Sequence, residues 1–232
     1  MSPSDVAYRT HTDVLASLVE LHDRRVIDVG SGSGELVRWM RSQGAEVVGV
    51  ECGEAMLHAA LKADPDHAHA YLEGVAQDLP CRDGDADVVV FSYSLHHVPH
   101  ASMLDALREA HRVLHPGGLL YVVEPVADGP NHEVVKLIDD ETEVRAFAQV
   151  ALDQAPSVGF ELVAERSYMS RSRYADADAM AARVVGVDPT RAQRMRAARA
   201  AFIDRFHELA TPTDDGYAFD QQNLVKVFRT LT

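Results

Sequence analysis

A glycine-rich segment near the amino terminus has the composition of a ligand-binding turn. Residues 26–35 read VIDVGSGSGE, an apolar run that ends in closely spaced glycines. Glycine accepts tight backbone conformations and lets a ligand approach the main chain without a Cβ in the way. A helix that follows such a turn offers unpaired N–H groups at its start. We therefore predict a strand, a turn and a helix, with ligand contacts along the turn at Gly30, Ser31, Gly32 and Gly34.

Two classes of cofactor bind at turns of this kind. A dinucleotide site has the pattern G-x-G-x-x-G, and its third glycine position is occupied here by Glu35, which would bring a carboxylate close to a pyrophosphate. The observed G-x-G-x-G spacing therefore disfavours an NAD-dependent oxidoreductase. A second acid, Glu51, ends the next predicted strand about twenty residues later, where a carboxylate can accept hydrogen bonds from both ribose hydroxyls. The alternative for Glu51 is a surface acid at a strand end.

The turn, with Asp28 two residues before its first glycine, resembles motif I of the class I S-adenosylmethionine-dependent methyltransferases. The resemblance extends over residues 25–124. It implies S-adenosylmethionine as the cofactor and S-adenosylhomocysteine as the product, with the acid and the turn holding the methionine portion. It also implies an adenine pocket lined by Cys52 and Met56.

The same resemblance assigns roles to two later segments. After the third predicted strand lie Gln77, Asp78 and Leu79, where Asp78 would receive the adenine amino group and the next backbone N–H would meet a ring nitrogen. Ser92 lies in the motif IV region at the end of the fourth strand. The alternatives are an ordinary loop aspartate for Asp78 and a helix-core side chain for Met56.

Candidates for the acceptor side follow the fourth strand, at the edge where α/β sheets bind ligands. Methyl transfer needs an aligned acceptor, and it needs a base only when the nucleophile must lose a proton. His97 and Tyr93 are the catalytic candidates, and His96 and His100 are expected to be structural or solvent-facing. The histidine spacing matches no established metal-ligand motif, so no metal is expected.

Short β-rich runs alternate with helical patterns through the first half, which predicts a parallel sheet built from βαβ units. The second half predicts helix over 133–152, strand over 160–167, two helices over 175–210 broken near Pro189, and strand over 217–231. The expected fold is α/β, a seven-stranded, mostly parallel Rossmann-like sheet with an antiparallel last strand and helices on both faces.

We predict one domain with four parts: a helical arm over 1–20, a cofactor-binding core over 21–126, a helical segment over 127–160 and a helical lid insertion over 175–210. The apolar residues of the insertion suit either a lid over the acceptor or an oligomer interface, which leaves a homodimer open. These residues are Met180, Val184, Phe202, Ile203 and Phe206. Arg171, Arg173 and Arg183 either face an acidic acceptor or are solvated.

The amino-acid composition limits the kinds of molecule that this protein is expected to bind. A net charge of −14 disfavours a phosphate backbone as partner, so no nucleic acid is expected. No apolar stretch reaches the roughly 20 residues of a membrane span, the first residues carry no signal-peptide pattern, and two distant cysteines indicate reduced thiols. We expect a cytoplasmic enzyme that methylates O, N or C of a small molecule. The alternatives are a tRNA or protein methyltransferase and a cofactor-binding subunit without turnover.

Overall fold

The computed structural model describes residues 8–188 and 190–231. Part of the predicted arm, residues 1–7, lies outside this range, as does Pro189 in the predicted break. The elements of the first half are α1 (His11–Leu18), β1 (Arg25–Val29), α2 (Glu35–Ser42), β2 (Glu46–Glu51), α3 (Glu54–Ala63), β3 (Tyr71–Glu73), β4 (Ala86–Ser92), α4 (Met103–Val113) and β5 (Leu114–Pro125).

The second half contains three further strands and four helices among the described residues. They are α5 (Pro130–Val135), α6 (Thr142–Asp153), β6 (Phe160–Tyr174), α7 (Ala177–Val187), α8 (Arg191–Leu209), β7 (Thr211–Thr213) and β8 (Gly216–Thr230). The predicted helix over 133–152 is thus two helices with a break between them. The predicted strand over 160–167 continues to Tyr174, and β7 was not predicted.

The sheet has the strand order β3-β2-β1-β4-β5-β8-β6, and the short β7 pairs with β8 in an antiparallel hairpin. Strands β1 to β5 pair in parallel. β8 runs antiparallel to β5, because the Gly117 N–H bonds Thr230 at one end and the Val126 N–H bonds Gln222 at the other. The seven-strand path therefore has the predicted antiparallel last strand.

Chain contacts divide the described residues into two compact units. The larger unit comprises residues 11–124, 147–166 and 224–231, and the smaller unit comprises residues 8–10, 125–146 and 167–223. The central strands of the larger unit are buried on both faces, which explains the continuous apolar runs in their sequence. The predicted division into arm, core, helical segment and lid remains a prediction.

The smaller unit has a hydrophobic core of its own. α7 and α8 contribute Met180, Phe202 and Phe206, which are fully buried, and they pack with residues of α5 and β8. Side chains that suggested a lid or an oligomer interface therefore contribute to the interior of this unit. Arg191 is also buried here, with ion pairs to Asp139 and Glu141 at 2.8 Å.

Two of the three arginines considered for an acidic acceptor have acidic partners within the smaller unit. Arg171 forms a bidentate ion pair with Asp220 and lies over the ring of Tyr8. Arg173 lies 3.6 Å from Asp215. Because its guanidinium both pairs with Asp220 and stacks on the Tyr8 ring, the main role of Arg171 is to hold the segment around Tyr8 in place.

Candidate functional site

The glycine-rich turn between β1 and α2 folds against β2. The N–H groups of Gly30 and Ser31 both donate to the carbonyl oxygen of Val50, at 2.8 and 3.1 Å, and the Gly34 N–H donates to Ser31. Gly30, Gly32 and Gly34 all have positive φ, between 55° and 75°. L-residues with side chains rarely adopt such angles, so the backbone requires glycine in this alternating pattern.

The three glycines differ in what lies next to them. A Cβ on Gly30 would lie 2.6 Å from the side chain of Ser94, and a Cβ on Gly34 would lie 2.6 Å from the ring of Tyr71. A Cβ on Gly32 would meet no heavy atom within 4 Å. Two of the glycines are therefore needed for packing inside the protein, whereas Gly32 borders open space in which a ligand can lie.

Glu51 is held at the end of β2 by the main chain of two neighbouring loops. Its two carboxylate oxygens accept hydrogen bonds from the N–H groups of Gly32 and Gly53, each at 2.7 Å. Each carboxylate oxygen has a second acceptor position. The carboxylate is thus fixed beside the turn, largely buried, with capacity for two further donors.

Two buried polar atoms beside the turn have no hydrogen-bond partner among the described residues: Oδ1 of Asp28 and Oγ of Ser31. Burial, and secondarily the charge of Glu51, raises the pKa of Asp28 to about 7. Unpaired buried polar atoms are uncommon in folded proteins and often indicate a missing ligand. A cationic ligand at this position would restore the charge of Asp28.

The residues expected along the adenine base follow Glu51. Cys52 is exposed at the surface, and partial desolvation together with the Glu51 carboxylate raises the pKa of its thiol. Met56 is half-buried in the first turns of α3, directly after this segment. Glu51 and Met56 both lie within 4 Å of the Cβ position of Gly53, and the contact of Cys52 and Met56 with adenine remains a prediction.

The loop after β3 requires one correction. The N–H of Leu79, expected to meet an adenine ring nitrogen, instead donates to Glu109 of α4 at 2.9 Å, and Leu79 itself is buried. Arg112 of α4 also binds the Leu79 carbonyl, which pins the loop to that helix. Gln77 is half-buried and Asp78 is exposed, so these two side chains remain the candidates from the loop.

Ser92 and Tyr93 end β4 on the same edge as the turn. Ser92 Oγ lies 3.3 Å from Nδ1 of His11, the first residue of α1, and the His11 and Tyr93 rings are 5.4 Å apart. Tyr93 has φ 56°, a strained conformation for a bulky residue that is most often found at functional sites. The sequence suggested only a helical arm over residues 1–20 and gave no signal for His11.

The histidines after β4 separate into distinct environments. His96 is buried, and its Nδ1 is hydrogen-bonded to Glu124, whose other oxygen accepts the Leu95 N–H at 3.0 Å. His100 is exposed and stacks on Phe147 at 3.8 Å. His97 is exposed, with its ring centroid 4.1 Å from that of His96, and its catalytic role remains a prediction.

A set of contacts that supports the turn from behind, here called the Tyr71–Asp64 brace, was also not predicted from the sequence. The Tyr71 ring packs against Gly34, and its hydroxyl donates to Asp64 at 2.9 Å. Arg38 of α2 donates to the carbonyl of Ser33 within the turn. Hydrogen bonds from Arg41, His67 and Tyr71 hold the pKa of Asp64 down, at about 2, despite desolvation that acts in the opposite direction. Residues so far apart in the chain show no pattern that sequence reading detects.

Comparison with known proteins indicates the family. Residues 27–122, from β1 through most of β5, match the family described as a methyltransferase domain. Over these residues the chain is similar to a methyltransferase domain. The match agrees with the methyltransferase family predicted from the sequence, and S-adenosylmethionine remains the cofactor that the resemblance implies.

Relatives and solved structures are consistent with this methyltransferase domain. A methyltransferase of uncharacterized specificity from Synechocystis is 32% identical over 116 residues, which is 50% of this chain and 54% of that protein. A demethylmenaquinone methyltransferase from Chlorobaculum tepidum is 33% identical over 113 residues, which is 48% of this chain and 44% of that protein. The aligned region thus spans about half the length of these curated relatives.

A crystal structure from Bacillus halodurans, described as that of a methyltransferase, has a TM-score of 0.64 at 19% identity and covers 95% of this chain and 98% of that one. It confirms the fold beyond the matched domain. Within the described residues, no helix is long and apolar enough to cross a membrane.

Proposed function

We propose that this protein transfers the methyl group of S-adenosylmethionine to an O, N or C atom of a small-molecule acceptor. The observation that carries the proposal is the Glu51 carboxylate, fixed at 2.7 Å from two backbone N–H groups beside the open space at Gly32. This arrangement suits the ribose hydroxyls of a nucleoside without a phosphate. The unpaired Asp28 oxygen suits the cationic methionine portion.

When bound, S-adenosylmethionine supplies an electrophilic methyl group on a positively charged sulfur. The chain's own residues then bind and align: Glu51 with Gly32 orients the nucleoside, and Asp28 and Ser31 hold the methionine portion. Met56, Cys52, Gln77 and Asp78 border the adenine. Tyr93 and His97 are the proposed acceptor-side residues, where the strained backbone of Tyr93 fixes its ring and His97 takes a proton from acceptors that must lose one.

A small acceptor is favoured over a macromolecular one by charge. The net charge is −14, and in the run of arginines on α8 several are already paired, such as Arg191 with Asp139 and Glu141 and Arg199 with Asp178. A phosphate backbone therefore has few free cations to contact there. The demethylmenaquinone methyltransferase among the relatives also acts, by its name, on a small quinone precursor.

The first test is calorimetric binding of S-adenosylhomocysteine to the wild-type protein and to Glu51→Ala. Loss of charge-assisted hydrogen bonds costs about 1.5–3 kcal/mol, so the affinity should fall roughly tenfold or more. Glu54→Ala, which removes a nearby exposed carboxylate from the start of α3, is the matched control and should leave affinity unchanged. Equal affinity in the wild type and Glu51→Ala would remove Glu51 from the site.

Turnover is tested by S-adenosylhomocysteine release with a panel of hydroxylated aromatics, amines and carboxylic acids, beside bulk tRNA and protein. Release with a small molecule supports the proposal. Release with tRNA or protein alone would replace it with a macromolecular methyltransferase.

A further inference from the structure

One face of the sheet beside the turn carries three polar side chains on neighbouring strands. The strand register pairs Asp28 with Val90, Val90 with Tyr121, and Ser92 with Val123. Paired positions in neighbouring strands point to one face, and that face recurs every second residue. Asp28, Ser92 and Tyr121 therefore share a face, while the intervening residues Val29, Phe91 and Val122 belong to the apolar core on the other side.

His11 of α1 lies over this polar face. Its Nδ1 is 3.3 Å from Ser92 Oγ, and its ring centroid is 5.8 Å from that of Tyr121 and 5.4 Å from that of Tyr93. Burial lowers the pKa of His11 to about 4, so the imidazole is neutral at physiological pH. A neutral imidazole has one donor nitrogen and one acceptor nitrogen, and the Ser92 hydroxyl can act as the donor to Nδ1 when the proton is on Nε2.

Two atoms on this face are buried without a hydrogen-bond partner among the described residues: Nε2 of His11 and Oδ1 of Asp28. One can serve as a donor and the other is an acceptor. Buried groups of this kind are costly when unpaired, so both are satisfied best by a ligand that carries an acceptor and a donor together. The α-amino and α-carboxylate groups of an amino acid form such a pair.

We propose that His11 is a cofactor-positioning residue whose Nε2–H donates to the α-carboxylate of the methionine portion of S-adenosylmethionine. This assignment rests on the proposed function and extends it to a residue outside the matched domain. The Ser92 hydroxyl donates to Nδ1 and thereby fixes the tautomer with the proton on Nε2. Asp28, on the same face, takes the α-ammonium group.

The test compares two ligands that share a nucleoside and a thioether. S-adenosylhomocysteine has the amino-acid group, and 5′-methylthioadenosine lacks it. His11→Phe keeps an aromatic ring against the two tyrosines and removes the nitrogen. It should weaken S-adenosylhomocysteine roughly tenfold, the usual loss for one hydrogen bond to a charged group, and leave 5′-methylthioadenosine unchanged.

Two further variants sharpen the comparison. Ser92→Ala removes the hydroxyl that fixes the His11 tautomer. It should produce a smaller loss of affinity for S-adenosylhomocysteine and leave the affinity for 5′-methylthioadenosine unchanged. His100→Phe, at an exposed histidine stacked on Phe147, should change neither affinity. If His11→Phe lowers the affinity for both ligands equally, His11 only packs over the site and does not bind the amino-acid group. If it lowers neither affinity, His11 is not part of the site.

A spectroscopic readout is independent of affinity. In the complex with S-adenosylhomocysteine, the ¹⁵N resonances of His11 should show the proton on Nε2 and should shift on binding, whereas 5′-methylthioadenosine should leave them near their ligand-free positions. A proton on Nδ1 in the complex would overturn the assignment. If the wild type binds neither ligand, the proposed function itself fails, an outcome distinct from binding of both with no effect at His11.

Discussion

At the residue scale, the pKa of Asp28 is displaced toward neutral pH. Its carboxyl is 1% exposed, and burial with the charge of Glu51 raises its pKa to about 7. In the ligand-free protein the charged form is therefore disfavoured at and below neutrality. A bound cation reverses this preference, because it stabilises the carboxylate directly.

This displacement predicts a pH dependence of cofactor affinity. The raised pKa means that binding below pH 7 must first remove a proton from Asp28, so the affinity for S-adenosylhomocysteine should rise from pH 6 to pH 8 and then level off. Asp28→Asn should bind more weakly and lose most of this slope. Calorimetry at several pH values measures both; an unchanged slope in Asp28→Asn would assign the dependence to another group.

The same carboxyl affects stability in the opposite direction. Because its folded pKa lies above the ordinary value, its contribution to stability is complete at pH values below about 4 and is lost as pH rises through about 7. The ligand-free Asp28→Asn protein should therefore gain stability over the wild type as pH rises from 5 to 8.

At the element scale, the turn between β1 and α2 allows backbone strain to be separated from ligand contact. Gly32→Asn introduces a side chain that tolerates positive φ better than most, so the fold should survive. The added atoms enter the open space beside Gly32, where they displace the cofactor. The affinity for S-adenosylhomocysteine should therefore fall about tenfold or more, a loss as large as that of one hydrogen bond to a charged group.

The matched control is Gly84→Asn. Gly84 has φ 64° and, like Gly32, open space at its Cβ position, but it lies in the loop before β4. This variant should match Gly32→Asn in melting temperature and retain full affinity. Normal binding by Gly32→Asn would show that the turn does not approach the cofactor closely.

The elements also show what the sequence predicted and why. β1 and α2 lie where the glycine-rich segment predicts a strand and a helix, and β2 ends at Glu51 as predicted, because buried parallel strands and one-sided helices leave periodic apolar patterns. The Leu79 N–H was misassigned because its partner, Glu109, is thirty residues away. His11 and the Tyr71–Asp64 brace were missed for the same reason: their contacts depend on tertiary structure, and no local pattern records them.

At the scale of the whole molecule, the smaller unit depends on a buried charge. Arg191 is 6% exposed and holds Asp139 and Glu141, so its removal takes away the buried cation that joins these two acids, while Arg194 and Arg145 still contact them. Breaking a buried pair costs about 3–5 kcal/mol, whereas an exposed pair is worth about 0–1. Because both acids keep a second arginine, Arg191→Ala should lower the free energy of unfolding measured in urea by less than this full cost, about 1–3 kcal/mol.

Arg199→Ala serves as the control for this stability measurement, because Arg199 pairs with Asp178 on the surface of the same unit. It should shift the urea midpoint little. Similar shifts in the two variants would show that the charge of Arg191 is not needed for stability. The lid over the acceptor, a homodimer and a cytoplasmic location all remain predictions.

The order in which the chain visits its two units constrains how new variants of this protein arise. Among the described residues the backbone crosses between the units after residues 10, 124, 146, 166 and 223. The smaller unit is therefore not encoded by one continuous stretch of gene. Recombination between relatives that exchanges the smaller unit must replace three separated blocks of sequence at once. Point substitutions and small insertions are therefore the accessible routes by which the smaller unit diverges while the methyltransferase domain is kept.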